Sequence, residues 1–344
     1  MKTVWERAKE TEKPILIYGT GNGADKILDE LQRLDIPVAG IFASDGFVRN
    51  RTFRGFPVMG YTQAKEKFGE FLTLISFGSQ RKEVIENFIK ISKEQETYSV
   101  DVPVYGDNIF GRDFYESHQS EIVQVRNMLS DEKSKAVYEN IINFKLTGDM
   151  NFLLSCETSR EEAYKNILNL GDDEIYMDLG AFNGDTVAEF LGNVQAYRKI
   201  YAAEPDVKNF AKLENNTQHL ENAECLNVCI SDHCGEVTFS KHGGRNGNAD
   251  KNGNTVKCMT VDSILGENDV TYIKFDVEGL EKESIDGAKN TIKRCKPKML
   301  ISCYHRSEDI FAIPLQIMSI RDDYKVYIRH NPYIPAWDTQ FYFI

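Results

Sequence analysis

Between Glu174 and Leu191 the chain reads EIYMDLGAFNGDTVAEFL, an apolar run, two glycines and then an amphipathic segment. A short apolar run bounded by glycine predicts a buried strand, and the segment after Gly184 predicts a helix. A strand that turns tightly into a helix brings backbone N–H groups and the positive end of the helix beside a ligand. It is also the repeating unit of open parallel α/β sheets. Asp178 stands two residues before Gly180, where its charge would repel a pyrophosphate and suit a ligand with positive charge and free hydroxyls.

The rest of the C-terminal half repeats this alternation. Apolar runs at IYMDL, KIYAAEP, CLNVCIS, VTYIKFDVEG, KPKMLISCYH, YKVYIRH and TQFYFI alternate with helix-like segments. Only NPYIPAWD separates the last two runs, which predicts a hairpin and an antiparallel final strand. The second run ends in Glu204. An acid there accepts hydrogen bonds from both hydroxyls of a ribose, as in dinucleotide sites. Combined with Asp178, it favours S-adenosylmethionine, which offers a ribose, an adenine, a sulfonium and an ammonium.

The blocks YMDLGAFNGDTV, YAAEPD, VCISDHCGEVTF and YIKFDVEGLEKESIDGAKNTIKRCKPKMLIS resemble the FkbM family of S-adenosylmethionine-dependent methyltransferases. The resemblance implies a class I methyltransferase fold, an α/β Rossmann-like seven-stranded mixed sheet, over residues 171–344. It also implies O-methylation of a saccharide, a nucleotide-linked saccharide or a related natural product. Asp178, Gly180, Gly184 and Asp185 would then shape the methionine pocket, with Ala181, Asn183 and Thr186 of the same turn. Glu204 and Pro205 would meet the ribose, and Ser231 with Asp232 the adenine. Where many relatives carry a glutamate two residues before the strand-end histidine, this chain has Cys303 before His305. No role for that glutamate transfers.

Methyl transfer to a hydroxyl needs in-line alignment and a proton acceptor. His305 ends a strand and, as a free histidine, would be mostly neutral at pH 7, so it is the first candidate. Asp276 is the alternative, and His330 competes for the role. Glu278, Asp309, Arg329 and Trp337 are the candidate acceptor contacts. No metal site is assigned, although Asp276 and Glu278 with a histidine form a donor set that fits a divalent ion. The helix carrying Ile285, Ala288 and Ile292 reads as core packing alone.

Residues 1–113 read as a smaller parallel α/β, Rossmann-like domain that binds a nucleotide or nucleotide sugar, and 114–170 as a helical connector. Gly19, Gly21 and Gly23 form its glycine turn, and Asp45 in GIFASD stands where a ribose-binding acid would. Their spacing falls short of a full dinucleotide fingerprint. Two alternatives stay open: an NAD-dependent oxidoreductase or epimerase using this turn, and a non-catalytic nucleotide-sugar-binding module. A domain used only for packing or homodimer contacts is equally compatible. The segment Ser240 to Lys257, rich in glycine and asparagine, reads as a surface loop or a lid. A formal net charge of -12 disfavours nucleic acid and anionic lipid as partners, which leaves a small-molecule acceptor. No run approaches the ~20 apolar residues of a membrane span, so no membrane insertion is expected. Seven cysteines without a disulfide framework fit the cytoplasm. Cys225 and Cys229 read as neighbours on one strand face.

Overall fold

The computed structural model describes residues 1–49, 51–239 and 254–344. The continuous apolar run Ile15–Tyr18 forms strand β1, buried on both faces as expected where helices cover both sides of a parallel sheet. With β2 (Gly40–Ala43), β3 (Thr52–Phe53), β4 (Phe56–Gly60), β5 (Leu72–Ile75) and β6 (Glu96–Ser99) it builds a six-stranded sheet in the order β3-β4-β2-β1-β5-β6. Every pairing is parallel except β3 with β4.

Helices fill the next stretch. The longest, Glu132–Thr147, is capped by Asp131, whose side chain accepts from the Ser134 amide, and it ends on left-handed Gly148. An acid at the first position and glycine past the last are what exposed helix ends require. Val137, Tyr138, Ile141 and Phe144 of this helix share one core with Val326, Ile328 and Phe341 of the C-terminal sheet and with Tyr18 and Phe42 of the N-terminal one. At about 1.5 to 3 kcal/mol for each large apolar side chain buried, this shared core ties the three parts together.

The C-terminal sheet comprises β7 (Ile175–Leu179), β8 (Lys199–Ala203), β9 (Ala223–Leu226), β13 (Tyr272–Phe275), β14 (Lys298–Ser302), β15 (Val326–His330) and β16 (Thr339–Phe343). Their order is β15-β16-β14-β13-β7-β8-β9, and β16 alone runs antiparallel. The run CLNVCIS does not form one strand. It divides between β9 and β10 (Cys229–Ile230), and β10 joins a separate small sheet with β12 (Asn254–Met259) and β11 (Gly235–Phe239). Asn227 makes the break, because its amide donates to the carbonyls of Glu204 and Pro205 and turns the chain. Cys225 and Cys229 therefore lie in different sheets, not on one face. The loop read as a lid falls largely on residues 240–253, outside the described residues. Among the described residues no helix is long and apolar enough to cross a membrane.

The carboxyl ends of the two large sheets meet. Ser79, just after β5, pairs with Ile334 between β15 and β16 through backbone bonds of 2.8 and 3.1 Å. The Tyr105 amide donates to the His305 carbonyl at 2.8 Å. Nearby, Lys145 and Asp101 form a buried ion pair at 2.7 Å.

Candidate active site

The turn after β7 is built from backbone. The amides of Gly180 and Ala181 both donate to the Ala203 carbonyl, at 3.0 and 2.9 Å. Gly180 has φ 85°, and a Cβ there would overlap the Asp276 carbonyl oxygen. The turn after β7 thus lies in direct contact with the turn after β13, and only glycine fits at the contact. Gly184, at φ 88°, opens the helix Asp185–Leu191. Asn183 accepts from the Asp185 amide and Asp185 from the Thr186 amide.

Glu204 lies at the end of β8 and is nearly buried. Its Oε2 accepts from the Phe182 amide at 2.9 Å and its Oε1 from the Asp206 amide at 2.8 Å. Burial pushes its pKa up against the pull of those amides. Each oxygen keeps a second lone pair for a hydroxyl. Ser231 is fully buried and donates to Asp232 at 3.1 Å. Pro205 follows Glu204 at the carboxyl end of β8, and Ser231 and Asp232 follow β10 of the small sheet; the carboxyl ends of strands are where open α/β sheets bind ligands.

Asp178 is presented differently from its sequence reading. It is completely buried; Lys274 Nζ lies 3.3 Å from one oxygen and the Thr186 hydroxyl donates to the other. The turn therefore carries a neutralised acid, not a free charge. Lys274 also stands 3.7 Å from Asp276, so one buried ammonium joins the acid under the turn to the acid at its mouth.

At that mouth Asp276 accepts from the Tyr304 hydroxyl at 3.2 Å. Burial would raise its pKa, but Lys274 and His305 outweigh that and hold it below the ordinary carboxylate value. His305 is 1% exposed. Its Nδ1 lies 2.9 Å from Glu281, and its Nε2 lies 3.7 Å from Asp276 and 3.6 Å from Glu278. Burial alone would lower its pKa; the three carboxylates reverse this and lift it to about 10. His305 is therefore not the free histidine expected from sequence: it is buried, and the three carboxylates around it favour its charged form. Asp309 is completely buried beside this group, not on an open pocket wall. Burial and the Glu281 charge push its carboxyl up to about 8.

The remaining candidates lie elsewhere. Arg329 is buried against the connector, bound to Asp131 at 2.8 Å and Ser134 at 2.7 Å. His330 is buried, 3.0 Å from the Thr339 hydroxyl, and burial lowers its pKa to about 4. Trp337 packs on the loop after β5, where a Cβ on Gly78 would come within 2.7 Å of its ring. Of the four expected acceptor contacts, only Glu278 is exposed at the mouth, held in a left-handed conformation at φ 54°. Three residues not singled out from sequence belong to the site. Glu281 begins the helix Glu281–Asp286, the first of two helices, with Lys289–Cys295, that replace the single core helix expected over Ile285, Ala288 and Ile292. Tyr304 bonds Asp276. The Tyr105 ring covers Gly279 and lies 4.4 Å from the Arg306 guanidinium, so the N-terminal half forms part of the wall.

In the N-terminal turn, a Cβ on Gly19 would strike Phe77 and Ser76, and one on Gly23 the Ser76 carbonyl. These glycines allow close packing on the end of β5. Asp45 accepts from the Thr62 amide at 3.0 Å and from its hydroxyl at 2.7 Å, which holds the start of the helix Tyr61–Phe68. Gly21 alone has open space around it.

The sheet order and the carboxyl-edge turn are those of a class I methyltransferase fold. Residues 178–328 match the methyltransferase FkbM domain, which marks this part of the chain as an S-adenosylmethionine-dependent methyltransferase domain. An FkbM methyltransferase from Methylobacillus flagellatus KT superposes with a TM-score of 0.75 at 21% identity, over 96% of this chain and 90% of that one. Its fold therefore extends through both halves and the connector. An rRNA methylase from Streptococcus thermophilus aligns with a TM-score of 0.33 at 16% identity, over 51% of this chain and 87% of that one. Fibrillarin from Aeropyrum pernix, solved with S-adenosylmethionine bound, gives 0.33 at 14% identity, over 51% and 67%. Comparison with curated proteins returns no match.

Proposed function

We propose that the protein moves the methyl group of S-adenosylmethionine to a hydroxyl of a saccharide or nucleotide-linked saccharide, with Asp276 as the proton acceptor. The observation that carries this reading is the contact between Gly180 and Asp276: the loop that would hold the methionine end touches the loop bearing the acid. In this reading Glu204 holds the ribose, and Ser231 and Asp232 border the adenine. Asp178, locked to Lys274 and Thr186, keeps the turn rigid and neutral. The carbon–sulfur bond breaks as the carbon–oxygen bond forms, the hydroxyl proton passes to the Asp276 carboxylate, and S-adenosylhomocysteine leaves. Alignment alone supplies up to ~7 to 11 kcal/mol in favourable cases. A base adds roughly 10² to 10⁴ in rate.

Tyr304 and Tyr105 beside the exposed Glu278 support a saccharide, since aromatic faces and a few polar groups suit a sugar ring. The free cysteines support work in a reducing compartment, the cytoplasm. The test is transfer of labelled methyl from S-adenosylmethionine to a panel of free sugars and nucleotide sugars. Asp276→Asn should lower the maximal rate about 10² to 10⁴-fold and leave cofactor affinity nearly unchanged. A variant with an intact maximal rate would remove Asp276 from the role, and a panel without labelled product would remove the saccharide.

A further inference from the structure

Beneath the mouth of the site, side chains from four separate segments converge. Asp276 follows β13, Glu281 begins the helix Glu281–Asp286, His305 follows β14, and Asp309 begins the helix Asp309–Ile320. Glu281 and His305 are each 1% exposed and Asp309 is 0% exposed. The Glu281 side chain accepts the Val277 amide through Oε1. Its Oε2 has no partner, and neither does Asp309 Oδ1. His305 Nδ1 lies 2.9 Å from Glu281 Oε1, but at an angle that makes no hydrogen bond. A buried carboxylate oxygen without a donor, as at Glu281 Oε2, is costly.

One ligand atom each from Asp276, Glu281 and His305 lies within 4.8 Å of the other two. Bonds of about 2.0 to 2.2 Å to a shared ion separate neighbouring ligand atoms by about 3 to 3.6 Å. The gaps of 2.9 Å to Glu281 and 3.7 Å to Asp276 start from opposite ring nitrogens, Nδ1 and Nε2; one ion takes only one of them, so the ring or a carboxylate has to turn to bring the three ligand atoms to that spacing. We propose that Asp276, Glu281 and His305 bind one divalent transition-metal ion at the base of the acceptor site. Two carboxylates with an imidazole suit Mn²⁺ or Zn²⁺ better than Ca²⁺, which takes six to eight oxygens. Asp276 would hold the ion through one oxygen and keep the other for the acceptor proton assigned to it, and the ion's charge would favour the alkoxide form of a hydroxyl. The binding itself does not depend on the methyl-transfer reading.

The test uses the full chain without S-adenosylmethionine, stripped with a chelator and then titrated with Mn²⁺ and with Zn²⁺ by calorimetry. Loss of the free-ion signal in electron paramagnetic resonance gives a second readout for Mn²⁺. One equivalent should bind per chain, at least 30-fold more weakly in Glu281→Gln and in Asp276→Asn. Both variants keep side-chain shape, and circular dichroism checks their fold. Wild-type protein that binds neither ion at millimolar concentration overturns the proposal whatever the variants do. Undiminished binding in two folded variants overturns it as well.

Discussion

The chain contains two turns of the same design, Gly19 to Gly23 after β1 and Gly180 to Gly184 after β7, and they are used differently. In the first, the glycines make room for Phe77 and the Ser76 backbone, and the strand ends in Tyr18, whose hydroxyl bonds to Ser44 and Asn87. In the second, the glycine makes room for the backbone of Asp276, and the strand carries a buried Asp178 paired with Lys274. The acid after the next strand follows the same division. Asp45 holds a helix start, whereas Glu204 gathers two amides at the carboxyl end of β8. A glycine turn is therefore a permission for close approach, and its neighbours decide what approaches.

The largest effect should come from Lys274→Met. It leaves Asp178 buried without its counter-charge, and breaking one side of such a pair costs about 3 to 5 kcal/mol. Tyr18→Phe at the end of β1 removes only hydroxyl hydrogen bonds and should cost about 1 kcal/mol; urea midpoints measure both. Equal losses would break the comparison. Next, Gly180→Ala forces a Cβ onto the Asp276 carbonyl and should weaken S-adenosylmethionine binding at least 100-fold. Gly21→Ala meets no neighbour and carries only backbone strain, about 1 to 2 kcal/mol of stability, with cofactor binding intact. The smallest pair compares the acids. Glu204→Ala should weaken cofactor binding about 30 to 150-fold, equivalent to about 2 to 3 kcal/mol of charged hydrogen bonds. Asp45→Ala should cost about 1 kcal/mol of stability, as for a lost helix cap, and leave cofactor affinity unchanged.

The sheet was readable because each strand carries its own pattern. The apolar runs, the hairpin and the antiparallel β16 all follow from local periodicity. The division between β9 and β10 was not readable, since it depends on Asn227 reaching the carbonyls of Glu204 and Pro205. Glu204 at the carboxyl edge follows from its place at a strand end. The surroundings of His305 do not, because Asp276, Glu278 and Glu281 come from the loop after β13 and the next helix. Glu281 was hidden for a related reason. The apolar spacing at Ile285, Ala288 and Ile292 reads as one helix, but the chain forms two, Glu281–Asp286 and Lys289–Cys295, and that spacing says nothing of the first turn. Arg329 and Trp337 look exposed at a strand end until the connector and the N-terminal loop are packed over them.

The most direct test of the division between the turns is calorimetric titration of S-adenosylmethionine and NAD into wild-type protein, Glu204→Ala and Asp45→Ala. The account predicts that S-adenosylmethionine binds at one equivalent per chain, that Glu204→Ala weakens it and Asp45→Ala does not, and that NAD gives no heat attributable to the first turn. NAD binding that disappears in Asp45→Ala, with S-adenosylmethionine affinity indifferent to Glu204, would contradict it.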